Sequence, residues 1–371
     1  MVNALKRMDK KFLIFAGLII CLPILLIIFL AVIRGCGNTK ISYDEYEKKM
    51  VTSFEKYLED VDKIPTEEGE YATVKLSMLV DKGYIKSTED LLGDSSCSGN
   101  ISVRRNGASV ESTNGGYLNY IVDLECKNYE TTHLVDKVKE NIVTEESGLY
   151  ETEDGYIFRG NKVKNYITFF GHTYRIMSID KNGILKLIKS EPEATNRKWD
   201  DKYNVETSRS SGKNIYKDSV MLAFLINDYE NTKKISSKAK QEIVAYDVCV
   251  GKRNSNNFSI DSSIDCSEKL EKQVISLLSV SDYAKASIDP DCTSLNSRSC
   301  NNYNYLYGVV SSTWTMNGSL DNTYDVLFLA DGVMLTQTAN TYNEYSIVIY
   351  IDGNRIYTSG SGSSNDPYVV E

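Results

Sequence analysis

From Phe12 to Ile33 the chain runs for 22 residues without a single charged side chain. A helix rising about 1.5 Å per residue over that length crosses a hydrocarbon core of roughly 30 Å. A cleaved signal peptide is the alternative, but its apolar region is usually about 7–15 residues long. No A-x-A-like site follows the run, so residues 12–34 read as an uncleaved transmembrane signal anchor. Pro23 sits within it, and Cys21 is expected simply to pack there. Lys6, Arg7, Lys10 and Lys11 precede the run, whereas only Arg34 and Lys40 follow closely. The positive-inside rule then puts the tail 1–11 in the cytoplasm and the body outside the cell membrane, as a single-pass protein whose first partner is the lipid bilayer.

The charge is divided along the same line. The formal net charge is −9, with residues 1–34 at +4 and the rest at −13. An acidic body repels phosphate backbones, which argues against a nucleic-acid partner. Of the eight cysteines, Cys36 follows the apolar run and is open to lipidation or to an intermolecular disulfide. Six lie in the body, and an even number in an oxidising compartment reads as disulfides. Their gaps suggest local pairs, Cys97 with Cys126, Cys249 with Cys266, and Cys292 with Cys300. A zinc site would need C-x-x-C spacing or more than the two histidines present, so no metal and no cofactor is expected.

Residues 42–63 place Tyr46, Met50, Phe54, Tyr57, Leu58 and Val61 on one helical face, behind Ser42 and Glu45 at capping-box spacing. A second helix is expected over 73–82. Residues 117–126 alternate, with Leu118, Tyr120, Val122 and Leu124 inward and Asn119, Asp123 and Glu125 outward. Residues 127–150 are polar and read as a linker with one weak helical pattern. Beyond them come strands and tight turns, among them hairpins at Asp180-Lys-Asn-Gly183, Asp331-Gly332 and Asp352-Gly353. Helices are expected at about 218–230, 236–244 and 267–278. The fold class is α+β.

Two resemblances organise the body. The helix, the Pro-Thr-Glu turn at 65–67, the Leu-Val-Asp-Lys-Gly-Tyr-Ile run at 79–85 and Cys97 with Cys126 make residues 42–130 resemble a type IV pilin-like module of Gram-positive surface proteins. A prepilin has Gly before its apolar segment and Glu shortly inside it. Here Lys11 precedes Phe12 and the run holds no Glu. After a linker at 131–150, residues 151–371 carry Tyr156-Ile-Phe-Arg-Gly160, Phe170-Gly-His-Thr-Tyr-Arg-Ile176, Val248-Cys-Val-Gly251, Leu277-Leu-Ser-Val-Ser-Asp-Tyr283 and Trp314-Thr-Met-Asn317. With the ending Gly362–Val370 these resemble a surface domain of low-GC Gram-positive bacteria. That domain is similar to the C-type-lectin-like fold shared with formylglycine-generating enzymes.

Chemistry is sparse. His172 lies in a strand-like run and His133 in the polar linker, neither beside an evident nucleophile. The formylglycine-generating resemblance would imply free, copper-binding thiols, for which Cys292 and Cys300 are the closely spaced pair. Asp289-Pro-Asp291 echoes a calcium lectin but reads as a turn. The chain is therefore expected to be no enzyme. Trp199, Tyr303, Tyr305, Trp314 and Asn317 are the candidate ligand-binding residues, because Tyr and Asn together supply rigid apolar area with adaptable hydrogen bonds. The expected function is adhesion to an extracellular glycan or protein ligand. The rival expectation is a structural subunit of a pilus-like or envelope assembly, as a homo-oligomer.

Overall fold

In the computed structural model the described residues are 40–67, 69–106, 117–193, 195–201, 214–231, 235–310 and 312–370. The apolar run 12–33 and the tail before it lie outside them. Among the described residues no helix is long and apolar enough to cross a membrane.

The first described helix, Tyr43–Asp60, starts where Ser42 takes the Glu45 amide on its side chain. Its face of Tyr46, Met50, Phe54 and Leu58 is buried against a four-stranded antiparallel sheet. The strands are Tyr71–Lys75, Ser98–Asn106, Tyr117–Cys126 and Tyr129–Glu130, in sequence order. The helix expected at 73–82 is instead a strand that turns into the short helix Leu76–Asp81. The cause is pairing: Tyr71 to Lys75 run in register against Arg104 to Asn100, which claims those residues before the helix can. The Cys97–Cys126 disulfide ties the sheet at one end.

A second core gathers residues from Leu134 to Tyr368. Its main sheet has eight strands, with the path 348–352, 184–189, 172–180, 166–169, 368–370, 357–359, and strands 148–152 and 155–159 attached through 172–180. The pairing of 368–370 with 166–169 is parallel, and the rest is antiparallel. A three-stranded sheet, 313–318, 325–330 and 333–338, packs beyond it, with the hairpin at Asp331-Gly332 as expected. The turn at 180–183 also forms, since Asp180 Oδ1 accepts the amides of Asn182 and Ile184, each at 2.8 Å.

Asp352-Gly353 is not a hairpin. Strand 348–352 pairs with 184–189, and strand 357–359 pairs with 368–370. The helix expected at 267–278 is also replaced. A short 3-10 turn ends at Ser267, and Lys269–Gln273 is a strand paired with Tyr246–Cys249. The Cys249–Cys266 bridge brings those two segments together and outweighs the local helical pattern.

The two cores meet along a polar seam. Asn119, expected to face solvent, is buried there and donates to Asp352 Oδ2 at 2.9 Å. The polar segment around 127–150 contributes to both sides. His133 Nε2 lies 3.1 Å from the Val122 carbonyl, while Leu134 N and Val135 N donate to Arg355 and Gly353. Leu134, Val135 and Val138 of the helix Leu134–Lys139 then enter the larger core.

Next to the seam, Glu47 is a fully buried acid. Burial raises its pKa above the ordinary 4.5, against hydrogen bonds from Thr131 Oγ1 at 2.5 Å and Tyr129 OH at 3.0 Å that lower it. An acid whose pKa is higher folded than unfolded favours folding most in its protonated form. Its contribution is therefore full below the unfolded pKa near 4.5 and is lost as pH rises through the folded value. Glu47→Gln is expected to remove that decline. Unfolding curves of the two proteins between about pH 4 and 7 check it: the variant's advantage should grow with pH. Parallel curves would contradict it.

Candidate functional site

A cleft of about 550 Å³ opens beside the main sheet, between strands 155–159, 172–180 and 184–189 and the segments carrying the Cys249–Cys266 bridge and the helix Val280–Lys285. The volume suits a small ligand or part of a larger one.

Its floor is an ion pair. Lys186 points out of strand 184–189, and its Nζ lies 2.6 Å from Asp282 Oδ2. Asp282 is held by the start of its own helix, because the same oxygen accepts the Ser279 amide at 2.7 Å in a capping box. Burial works against the charge on Lys186, but Asp282, Tyr350 and Asp265 together outweigh it, and the pKa is raised.

One wall is aromatic. The rings of Tyr246 and Tyr350 stack with centroids 4.3 Å apart and planes within 11°. Tyr246 OH donates to Asp180 Oδ2 at 3.0 Å, and Asp180 is itself fixed by the turn amides already described. Burial, followed by the Asp180 charge, raises the Tyr246 pKa, so this phenol stays protonated and donating at neutral pH.

On the opposite side Asp265 is clamped. Its Oδ1 lies 2.5 Å from Arg253 Nε, and its Oδ2 accepts from Ser281 N and Ser281 Oγ. Arg253 Nη1 and Nη2 donate to the Ser259 and Asp261 carbonyls at 2.8 and 2.7 Å. At the rim, Lys285 bonds Ser262, and the exposed Asp261 is held below the usual carboxylate range by the Ser263 amide and hydroxyl. Arg159 is anchored on the Ser287 carbonyl.

The lining therefore interleaves six aspartates (154, 180, 247, 261, 265, 282) with three cations, Arg159, Lys186 and Lys285. Neither histidine lines it, and its cysteines Cys249, Cys266 and Cys292 are all in disulfides. All three bridges join the pairs expected from the spacing. With Cys292 bonded to Cys300, the two free thiols of a formylglycine-generating centre are not present at that place. Asp94 lies within ligand distance of Cys97 and Cys126, but those sulfurs bond each other and offer no thiolate to a metal.

The five residues expected to bind a ligand do not come together on a surface. Trp199, Trp314 and Asn317 are 0 % exposed and Tyr305 is 6 % exposed. Trp199 Nε1 donates to the Thr315 carbonyl at 3.0 Å, and Trp314 Nε1 to Arg197 at 2.9 Å. Asn317 bridges the Val280 amide and the Gly251 carbonyl. Tyr305 lies under the Arg175 guanidinium. These four are core residues, which corrects the expectation of a recognition loop built on them.

Tyr303 differs. It is 57 % exposed and its backbone sits at φ +45°, where residues other than glycine are strained. Tyr303→Gly is expected to raise stability by about 1 kcal/mol, from relief of that strain. A denaturant melt checks it, and a loss of stability would show that the side chain packs in the fold.

Sequence reading missed the cleft because its polar members look ordinary in isolation. Lys186 interrupts Ile-Leu-Lys-Leu-Ile, and the capping-box spacing Ser279-x-x-Asp282 was the one local signal available. Comparisons with protein-family models, with curated proteins and with solved structures find no match for this chain.

Proposed function

We propose that this chain is a membrane-anchored surface protein, held by residues 12–34, that binds a neutral, polyhydroxylated ligand in the cleft beside Tyr246. Its residues 42–130 serve as a pilin-like stalk and residues 151–371 as a C-type-lectin-like binding domain. The ligand class is a glycan, bound by contact and without covalent chemistry. What supports the reading is the cleft's mixture: a stacked tyrosine wall for sugar faces, and carboxylates alternating with ammonium groups that match hydroxyls as both donors and acceptors. The excess of aspartates disfavours phosphorylated and other polyanionic ligands. The three disulfides fit an oxidising compartment outside the cell.

The test is a glycan array probed with the full chain in detergent micelles. Neutral oligosaccharides should bind, and Tyr246→Ala should weaken them about tenfold, or about 1.4 kcal/mol, with the melting curve run alongside as a fold control. Binding confined to polyanions, or unchanged in the variant, would sink the proposal.

A further inference from the structure

Away from the cleft, one buried side chain has more hydrogen-bond acceptors than it has hydrogens. Asn214 is 0 % exposed, and its Nδ2 faces three backbone carbonyls, those of Ser319 at 2.8 Å, Asn322 at 3.1 Å and Asp325 at 2.5 Å. A primary amide nitrogen carries two hydrogens, so it cannot give each of the three carbonyls one of its own, and that of Asp325 also takes the Ser319 amide at 3.0 Å. The other end of the same amide meets an amine: Lys252 Nζ lies 2.6 Å from Asn214 Oδ1. Each end of the amide thus has partners of the right polarity, which fixes its orientation.

The surroundings hold this encounter still. Arg253, next to Lys252, donates its amide to the Gly318 carbonyl at 3.0 Å and accepts from Leu320 N at 2.8 Å, while its side chain is locked on Asp265. On the Asn214 side, Gly318 permits the close approach, since a Cβ there would lie 2.3 Å from the Asn214 carbonyl oxygen. Burial also lowers the Lys252 pKa, against the attraction of Glu268, and so favours the neutral, nucleophilic amine. The amine donates to Oδ1, one bond away from Cγ, so the two groups are held in proximity within a fixed frame.

We propose that Lys252 and Asn214 join in an intramolecular isopeptide bond. The lone pair of neutral Lys252 Nζ attacks Asn214 Cγ and forms a tetrahedral centre. The Cγ–Nδ2 bond then breaks, a proton from Nζ passes to the departing nitrogen, and ammonia leaves. One amide is exchanged for another, with no oxidant, reductant or water consumed. The departing nitrogen carries three N–H bonds, and three oxygens are already in place to accept them.

The experiment is the intact mass of the full-length chain, reduced and denatured, followed by peptide mapping. The expected result is a mass below that of the sequence by one ammonia, with a branched peptide joining the segments that carry residues 214 and 252. Lys252→Arg should restore the full mass. A wild-type chain of full mass overturns the proposal. So does an ammonia loss that persists in Lys252→Arg, because cyclisation at an asparagine would produce that without any lysine. The branched peptide is read on the wild type, so the result stands even where the variant folds poorly.

Discussion

Asp265→Ala is expected to lower stability by about 3–5 kcal/mol. Both partners of the Arg253–Asp265 pair are buried, at 0 % and 1 % side-chain exposure. Truncating the acid leaves a guanidinium inside the protein with two carbonyls and no counter-charge. It also strips Ser281 of the carboxylate that its amide and hydroxyl both reach. The loss should appear as a lower denaturant midpoint with little change in slope. A double variant, Arg253→Met with Asp265→Leu, should recover much of it, since well-packed apolar groups can replace a buried ion pair at little cost. An Asp265→Ala protein as stable as the wild type would mean that solvent reaches the pair.

Trp199→Ala is expected to cost about 3–5 kcal/mol, the range for emptying a large core site. The indole is fully buried against Tyr216, with ring centroids 6.0 Å apart, and its truncation also orphans the Thr315 carbonyl. Phe in its place should fill much of the volume yet leave that carbonyl unpaired, so an intermediate loss is expected. The comparison separates two readings of a tryptophan in a polar stretch. A ligand-contacting residue would leave the melting temperature in place and lower binding; this one should do the reverse.

The difficulty with Trp199 is general to the chain. Its neighbours Lys198, Asp200 and Asp201 make it look exposed, but depth is decided by Thr315 and Tyr216, which only the tertiary fold brings near. Local chemistry was legible where it was self-sufficient. Helix Tyr43–Asp60, with its serine cap, and the turn at 180–183, with its aspartate taking two amides, follow from residues within a few positions of one another. The three disulfides, which span 29, 17 and 8 residues, were legible because each cysteine pairs with its neighbour among the cysteines of the body.

Asp352-Gly353 shows the limit. Its aspartate does accept the Asn354 amide at 2.9 Å, as a turn residue should, yet the flanking strands leave for different partners. Which strand pairs with which is a non-local property, and a dipeptide carries no information about it. The cleft was hidden on the same grounds. Lys186, Tyr246, Asp282 and Tyr350 come from four separate segments, and only Asp282, in its capping box with Ser279, has a neighbour in sequence that explains it.

The place of strand 368–370 bears on how such a body is made. It lies inside the main sheet, between 166–169 and 357–359, with Tyr368 buried and its hydroxyl taking the Asn141 amide at 2.8 Å. A ribosome has therefore delivered residue 166 long before the strand that covers it exists. Until residue 370 emerges, the 166–169 edge is open and able to pair with another chain. The return of that distant segment has a large loop to close before any contact rewards it. Quality control during biogenesis, by chaperones or proteases, has its longest opportunity in that interval.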